Sequence, residues 1–550
     1  MKRRTAIKGL ALGMSSLYLS KSQASSLFKY SGQGSAASAS FLPNWNSLAQ
    51  YKVPDWFRDA KFGIWAHWGP QCQAEYGDWY GRGMYQEGSD QYKYHCAKYG
   101  HPSKFGFKDV IHEWKGENWN PEELVNLYKN AGAKYFMAMA NHHDNFDLFD
   151  SKYQSWNSTK LGPKKDLVAG WAKAAKNNGL PFGVSVHAAH TWSWLEPAQR
   201  ADKSGPMAGV PYDGKLTAKE GKGKWWEGYD PQELYEQNHA LSVNSLDDGM
   251  IHSQWNWGNG VTPPSAAYCE KFYKRTLDLI DQFEPELIYF DDTALPLWPV
   301  NDAGLRIAAH HYNKSIKKHG DLQAVIFGKI LDEQQRKCMV WDIERGQSSD
   351  IEPLPWQTDT CLGNWHYDRR VYNENRYKSA KTVIHTLVDV VSKNGNLLLN
   401  VPVRGDGTID EKERVVVQEV GEWMKVNGEG IYGTRPWTKY GEGPAMEASA
   451  PLSAQGFNES KGKPFSAEDI RFTTKNKVLY ATMLGWPETD LRVQVKSLAA
   501  TGRTGQISRV SLIGYPGKLE WVQNDRALIV NLPDKAPGKN AFMLKVEGAI

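Results

Sequence analysis

The sequence lacks the features that define several large classes of protein. Only five of its 550 residues are cysteine, and no two of them have the CxxC spacing of a zinc ribbon or a redox motif. An odd number excludes a fully paired disulfide framework and leaves one or two disulfides open. No apolar run reaches membrane-spanning length, which predicts a soluble mature protein without a membrane partner.

Charge and motif content exclude further classes. The 66 basic and 62 acidic residues give a net charge of only +4, and no arginine-rich run is interleaved with aromatic residues, so we expect no nucleic-acid partner. The sequence contains no HExxH, GxSxG or phosphate-loop motif. We therefore expect neither a metal nor an organic cofactor.

Tryptophan and tyrosine, by contrast, are abundant. The chain has 23 Trp and 26 Tyr, more than packing alone requires. Flat amphipathic rings suit the apolar faces of sugars, although core packing is the simpler explanation.

The N-terminus predicts export. A basic start, MKRRTAIK, is followed by the short apolar stretch GLALGMSSLYL, and residues 1–25 therefore read as a signal. RRTAIK resembles a twin-arginine signal, with a Sec signal as the alternative, so the expected location is periplasmic or secreted. Residues 26–41, which include SGQGSAASAS, are predicted to be a linker.

Residues 42–430 alternate short apolar runs with longer amphipathic segments. Helix signals stand between the runs, as in NPEELVNLYKNAG and DLVAGWAKAAKNNG. Buried strands that are each followed by a helix predict parallel β/α units, and seven or eight units predict an α/β fold with a TIM-like (β/α)8 barrel. The runs are KFGIWAHW, YFMAMA, FGVSVH, ELIYFDD, QAVIFGK, MVWDIE and NLLLNVP.

Residues 431–550 change character. IRFTTKNKVLYATML alternates polar and apolar residues, and turns separate further short runs, which predicts a smaller C-terminal antiparallel β-sandwich. A long insertion at about 192–265 interrupts the barrel pattern and is typical of a functional loop. Four of its tryptophans could stack on sugars or only fold the loop: Trp225, Trp226, Trp255 and Trp257.

Reactive groups of a TIM barrel lie at the C-terminal ends of its strands. A pair of carboxylates among histidines and tryptophans is typical of glycoside hydrolysis, whereas several histidines at one mouth keep a metal site as the lesser alternative. The strand-end residues are His67, His142, His143, His187, Asp291, Asp292, Asp342 and Glu344.

Four ordered motifs resemble those of the family 29 glycoside hydrolases, the α-L-fucosidases. They are KFGIWAHWGP, AGAKYFMAMANHHDNFDLFDSKYQSWNS, SKNGNLLLNVPVRGDGTID and GEGIYGTRPW, spread over about residues 54–437. The resemblance implies a retaining exo-hydrolase of fucose-containing glycans, with a barrel and a C-terminal β-sandwich, that could form oligomers.

The resemblance also implies roles for strand-end residues. His67, His142 and His143 match histidines that hold hydroxyls of the sugar, and Asp291 matches the nucleophile. Asp292 is its rival, because side chains alternate along a strand and only one of the two can point inward.

The acid/base residue is less clear from the resemblance. The family often has a Trp-Glu pair where this chain has Trp356 and Gln357, and glutamine cannot deliver a proton. We predict Glu344 for this role, with Asp359 and Glu352 as second choices. Trp356 remains a predicted substrate contact.

Two further motifs depart from the family pattern. Asp78 and Trp79 stand where the family often has Glu-Trp, and both are predicted to contact substrate. Where the family frequently has a tyrosine pair, this chain has Ser185, Val186 and His187. His187 and His190 either take over the contacts of that pair or mark a different linkage preference.

The leading prediction is thus an α-L-fucosidase with Asp291 as nucleophile and Glu344 as acid/base. A fucoidan-type polysaccharide hydrolase or an α-L-galactosidase of the same mechanism is an alternative. Gln357 motivates a third, a non-catalytic fucose-binding protein.

Overall fold

Eight parallel strands close into a barrel in the computed structural model. The structure describes residues 40–448, 452, 456–459, 461–500 and 505–550, so the predicted export signal and nearly all of the predicted linker lie outside the described residues. The strands run Phe62–Ala66 (β1), Phe136–Asn141 (β2), Phe182–Val186 (β3), Leu287–Thr293 (β4), Val325–Lys329 (β5), Val340–Glu344 (β6), Trp356–Cys361 (β7) and Gly395–Asn400 (β8).

Helices surround the barrel and fill the loops between its strands. They are α1 (Trp45–Leu48), α2 (Asp55–Ala60), α3 (Tyr80–Gly83), α4 (Asp90–Lys98), α5 (Phe107–Glu113), α6 (Pro121–Asn130), α7 (Leu167–Asn177), α8 (Thr191–Trp194), α9 (Pro231–Tyr235), α10 (Asp248–Ser253), α11 (Ala266–Phe283), α12 (Ala303–His319), α13 (Arg369–Asn373), α14 (Ala380–Ser392) and α15 (Glu411–Asn427). The side chain of Asn120 accepts a hydrogen bond from the Glu123 amide and so caps α6, as its Asn-Pro start predicts.

Strand β7 is the barrel strand that the apolar runs did not reveal. Its sequence, WQTDTC, is mostly polar, yet all six residues are buried. The polar side chains are accommodated by hydrogen bonds: Gln357 and Asp359 bond to side chains of other barrel strands, and Thr358 donates to the Ile343 carbonyl. A buried strand with this composition breaks the rule that buried parallel strands are apolar.

The C-terminal region forms two antiparallel sheets. Its strands are β9 (Arg435–Glu442), β10 (Ile470–Lys475), β11 (Val478–Met483), β12 (Arg492–Val495), β13 (Arg509–Leu512), β14 (Glu520–Gln523), β15 (Leu528–Asn531) and β16 (Phe542–Glu547). One sheet has the order β13-β16-β11-β10-β9 and the other β12-β15-β14, with a shared core that includes Phe472, Val495 and Leu528. The predicted fold class, a TIM-like barrel followed by an antiparallel β-sandwich, is confirmed.

The barrel and the C-terminal sheets pack together within one unit, residues 40–550. Helix α14 lies against β9 and β10, and the buried Arg471 Nε on β10 contacts Asp389 Oδ1 on α14 at 2.5 Å. The last barrel helix ends at Asn427 and β9 begins at Arg435, so the predicted boundary at 430 falls between them.

The cysteines form no disulfide among the described residues. All five cysteines lie in the described residues, and their thiols are free. Among the helices of the described residues, none is long and apolar enough to cross a membrane.

Candidate active site

A cavity of about 350 Å³ opens at the carboxyl ends of the barrel strands. This is the edge where parallel strands of a barrel bring reactive groups together. Seven of the nine predicted site residues line it: His67, Asp78, Trp79, His142, His187, Asp291 and Glu344. His143 lies directly behind, against Asp291, and Trp356 lies elsewhere.

Asp291, near the end of β4, is the most heavily bonded carboxylate in the cavity. Lys329 Nζ lies 2.7 Å from its Oδ1, and His143 Nε2 and His187 Nδ1 each lie 3.1 Å from its Oδ2. Burial alone would raise the pKa of Asp291, but the Lys329 charge and the two histidine contacts hold it well below the usual value. Asp291 is therefore an ionised carboxylate, and its side chain remains 20% exposed to the cavity.

The hydrogen bonds of the two histidines indicate where their protons lie. His187 Nε2 is 3.0 Å from the Ser185 hydroxyl, which can donate to it, so the neutral ring carries its proton on Nδ1 and donates it to Asp291. His143 Nδ1 faces the His187 carbonyl at 2.7 Å. A neutral His143 has a single N–H for that carbonyl and for Asp291.

Asp292 is held in a different environment. Its Oδ1 accepts hydrogen bonds from His190 Nε2 at 3.0 Å and from the Thr293 amide at 2.7 Å, and the side chain is 1% exposed. Because side chains alternate along β4, the two aspartates lie in different environments. Asp291 contacts Lys329, whereas Asp292 contacts His190.

Lys329, the last residue of β5, joins the two predicted catalytic carboxylates. Its Nζ contacts Asp291 Oδ1 at 2.7 Å and Glu344 Oε2 at 2.5 Å. The sum of these distances limits the separation of the two oxygens to about 5.2 Å. Burial alone would lower the pKa of Lys329, but the two carboxylates raise it well above its usual value, so the ammonium stays charged.

Glu344, at the end of β6, has an environment unlike that of Asp291. Burial raises its pKa to about 7, and the negative charges of Asp359 and Asp291 add to this effect while Lys329 opposes it. The cavity therefore contains one carboxyl group that is ionised throughout the neutral range and one that still holds a proton near pH 7. Such a separation of pKa values marks the division of labour between a nucleophile and an acid.

The two second choices for the acid occupy different positions. Asp359, on β7, accepts a hydrogen bond from the Tyr289 hydroxyl at 2.7 Å and is only 1% exposed, and burial raises its pKa. Glu352 accepts from the Ser348 hydroxyl at 2.6 Å and does not line the cavity. Of the three candidates, Glu344 is the one in contact with Lys329 and exposed to the cavity.

Trp356 does not reach the cavity, contrary to its predicted role. Its ring is fully buried among Ile343 and Val390, and its Nε1 donates to the Lys393 carbonyl at 2.8 Å. Alternation explains this: Gln357 and Asp359 point into the barrel, so Trp356 points outward. Gln357 lies deep in the barrel, where it accepts from the Tyr135 hydroxyl and donates to Asp342, each at 2.8 Å.

Three imidazoles cluster in the cavity: His67, His142 and His366. Their ring centroids lie 4.7 to 5.1 Å apart. Both ring nitrogens of His67 and of His366 are buried and have no hydrogen-bond partner among the described residues. Burial lowers the pKa of His67 and His142 well below the usual value, so both rings are neutral and can donate to or accept from a ligand hydroxyl.

Histidine side chains in and directly behind the cavity are the candidate metal ligands among the described residues. His67, His142 and His366 each have one ring nitrogen within 4.8 Å of one ring nitrogen of the other two, and the same holds for His142, His143 and His187. Imidazole nitrogens grouped in this way would suit zinc or copper.

Aromatic residues form another wall of the cavity. Trp79 stacks on His252 at 4.9 Å and on Trp255 at 6.4 Å, and Trp255 also stacks on His190 at 3.9 Å. Asp78 accepts a hydrogen bond from the His366 amide at 2.7 Å. The long insertion thus supplies Trp255 to the cavity.

The other tryptophans of the insertion fold it rather than line the cavity. Trp225 stacks on His112 and donates to Asp109, whereas Trp226 is only 2% exposed. Trp257 stacks on the far side of the wall, against His190 at 4.7 Å.

Comparison with known proteins decides the family. The profile described as Alpha-L-fucosidase matches residues 30–429, and that of the Alpha-L-fucosidase C-terminal domain matches residues 463–547. The chain belongs to the α-L-fucosidase family. It is therefore a glycoside hydrolase.

Relatives match almost the whole chain of this α-L-fucosidase. The tissue α-L-fucosidases of Rattus norvegicus and Homo sapiens are 24% and 25% identical, over 93% and 92% of this chain and 94% and 92% of theirs. The crystal structure of a Thermotoga maritima α-fucosidase in complex with fucose has the same fold, with a TM-score of 0.65 and 24% identity over 92% of this chain and 100% of that chain.

The sequence did not predict several cavity residues of this α-L-fucosidase, among them Lys329, His366 and Phe457. Lys329 ends the run QAVIFGK, so its place at a strand end is visible in the sequence, but the strand-end residues that indicate glycoside hydrolysis are histidines and carboxylates. His366 follows β7, the strand that was not recognised, and Phe457 comes from beyond the barrel.

Proposed function

We propose that this protein removes terminal L-fucose from oligo- or polysaccharides with net retention of configuration. Asp291 is the nucleophile and Glu344 is the acid/base residue. The observation that carries the proposal is the Lys329 bridge, which holds an ionised and a protonatable carboxyl group side by side in one cavity.

In the first step, a carboxylate oxygen of Asp291 forms a bond to the anomeric carbon as the glycosidic bond breaks. Glu344 gives its proton to the departing oxygen, so the leaving group departs as a neutral alcohol. The Lys329 charge and the His187 N–H keep Asp291 ionised until it attacks.

In the second step, Glu344, now ionised, takes a proton from water, and the water oxygen displaces Asp291 from the anomeric carbon. The product is fucose of the original configuration, and both carboxyl groups return to their starting states. Lys329 compensates the charge that Glu344 carries between the two steps.

The separation of the carboxyl groups supports retention. Retaining enzymes place the two groups about 5 to 5.5 Å apart, whereas inverting enzymes leave about 6.5 to 9.5 Å for a water molecule. The upper limit of about 5.2 Å between one oxygen of Asp291 and one of Glu344 fits the retaining arrangement.

The buried histidines of the cavity would bind the hydroxyl groups of the sugar. His67 and His366 have buried nitrogens that lack partners among the described residues, and a ligand hydroxyl would satisfy them. Asp78, which already orients His366 through its amide, adds an acceptor. The chemistry proposed uses side chains of the protein throughout.

The site supports a catalytic role better than a non-catalytic fucose-binding role. That alternative rested on Gln357 at the acid position, but Gln357 lies in the barrel interior, and Glu344 supplies a carboxyl group that can hold a proton at the cavity. Fucoidan-type polysaccharides and α-L-galactosides would use the same two carboxyl groups, so both belong in the substrate panel.

The test is azide rescue with an aryl α-L-fucoside. We expect Glu344→Ala with azide to give a fucosyl azide of retained configuration, and Asp291→Gly with azide to give the inverted product, because azide replaces water in one case and the nucleophile in the other. Glu352→Ala is the matched control and should behave like the wild type. Wild-type inactivity on every substrate of the panel, or an equal loss in Glu352→Ala, would overturn the proposal.

We also propose that the protein is exported. The basic start and the short apolar stretch of residues 1–25 support this, and RRTAIK supports the twin-arginine route. Changing Arg3 and Arg4 together to Lys in a bacterial host should retain the uncleaved protein in the cytoplasm, as measured by fractionation. Unchanged export would favour the Sec route, and cytoplasmic wild-type protein would contradict export.

A further inference from the structure

Four residues at the cavity share an unusual backbone conformation. Trp79, Ile330, Arg345 and Phe457 line the cavity with φ values of 60°, 51°, 44° and 47°. The left-handed region is uncommon for residues other than glycine, and a β-branched residue such as Ile330 is a genuine outlier there. Such strain persists where the surroundings enforce it, and it clusters at ligand-binding sites.

Three of these four residues stand beside the acid: Ile330, Arg345 and Phe457. Ile330 follows Lys329, Arg345 follows Glu344, and the Phe457 amide donates to the Glu344 carbonyl at 2.8 Å. The acid must touch the oxygen of the leaving group. These three residues therefore face the part of the substrate that departs.

Phe457 is fixed there by a segment of the C-terminal region, the connection between β9 and β10. Gly456 pairs with Glu344 as in a parallel strand, and a Cβ on Gly456 would come within 2.3 Å of the Glu344 carbonyl oxygen. Glu459 donates its amide to the Arg345 carbonyl at 2.9 Å and accepts from the Thr360 hydroxyl at 2.7 Å. This segment falls between the two matched profiles, which end at 429 and begin at 463.

We infer that Ile330, Arg345 and Phe457 form a leaving-group site, which selects substrates whose fucose is attached to another pyranose sugar. The inference rests on the proposed function. Phe457 and Ile330 offer an apolar surface to the C–H face of a sugar ring. Arg345 offers guanidinium N–H donors to its hydroxyls, while Glu459 holds the Arg345 Nε at 3.3 Å.

The test compares a substrate with a leaving sugar and one without. In Phe457→Ala, kcat/KM for a fucosylated disaccharide should fall about tenfold. For α-L-fucosyl fluoride, which has no leaving sugar, kcat/KM should stay within about twofold of wild type. The substitution keeps the Phe457 amide and hence its bond to Glu344, so the acid keeps its place.

Two further variants sharpen the comparison. Ile330→Asn introduces a residue that tolerates φ > 0 and removes the apolar side chain, and it should show the same selective loss. Phe465→Ala is the matched control. Phe465 also lies in the connection between β9 and β10, but its ring packs on His385, away from the cavity, and both substrates should keep wild-type values.

The outcomes separate this inference from the proposed function. Wild-type turnover of both substrates with equal losses, or no loss, in Phe457→Ala would overturn the leaving-group site and leave the α-L-fucosidase proposal intact. Absence of wild-type turnover on both substrates would overturn the two together.

Discussion

At the scale of single residues, Lys329 sets the charges of the cavity. It pairs with Asp291 and Glu344 at once, and it is buried with them. Two carboxyl groups that share one ammonium cannot both be strongly stabilised as anions. For the second carboxylate, the attraction to the ammonium is smaller than the free-energy cost of burying its charge. Asp291, which also has His143 and His187, keeps the charge, and Glu344 keeps the proton.

This division predicts how activity depends on pH. Because the acid must be protonated and its pKa is raised to about 7, kcat/KM should fall as pH rises through about 7. On an aryl fucoside that needs little acid assistance, Glu344→Gln should keep kcat/KM but lose this alkaline limb. An alkaline limb that persists unchanged in Glu344→Gln would assign it to another group.

Removing the Lys329 charge should raise the pKa of Asp291. In Lys329→Met we expect the acidic limb of kcat/KM to move to higher pH, because burial then acts on Asp291 with less compensation, and kcat to fall by about 10²-fold. Lys329→Arg, which keeps the charge, is the control and should retain the wild-type acidic limb. The idea fails if the limb of Lys329→Met does not move.

At the scale of elements, β7 is a barrel strand that apolar sequence patterns do not predict. Its neighbours were predicted from apolar runs, but WQTDTC is buried through polar contacts to Tyr135, Asp342 and Tyr289, and these contacts exist only in the closed barrel. Asp291 was predictable because a strand end and a motif coincide there. Phe457 was not, since 113 positions separate it from Glu344 and only the folded chain brings them together.

The orientation of β7 makes Gln357 a poor replacement acid. Adding Gln357→Glu to Glu344→Gln should restore no activity on a fucosylated disaccharide, since the new carboxyl group would lie against Asp342 in the barrel interior. Gln357→Glu alone should lower the free energy of unfolding by about 1–3 kcal/mol, because it loses a hydrogen bond to Asp342 and buries another acid. Urea unfolding and disaccharide turnover check both points, and restored turnover would contradict the placement of β7.

At the scale of the whole molecule, the C-terminal sheets are attached to the barrel by a buried ion pair. Arg471 Nε lies 2.5 Å from Asp389, which also pairs with Lys393 at 2.7 Å. The amphipathic patterns predicted both domains, but a pattern within each domain gives no information on which charged residues meet across the contact.

Breaking this pair should destabilise the protein. Arg471→Met should lower the free energy of unfolding by about 3 kcal/mol, because a buried carboxylate loses one of its two cations. Arg509→Met, which removes an exposed pair with Glu547, should cost at most about 1 kcal/mol. Denaturant unfolding measures both, and equal effects would contradict a structural role for the buried pair.

The most direct test of the account is to trap the covalent intermediate. A 2-deoxy-2-fluoro-α-L-fucosyl fluoride should label the enzyme, and peptide mass spectrometry should find the fucosyl group on Asp291, with no label in Asp291→Asn. The fluorine at C2 slows both steps, but the good leaving group compensates for this in the first step only. The intermediate should therefore form faster than it is hydrolysed. A label on Asp292 or on Glu344, or an active enzyme that is never labelled, would contradict the assignment of Asp291 as the nucleophile.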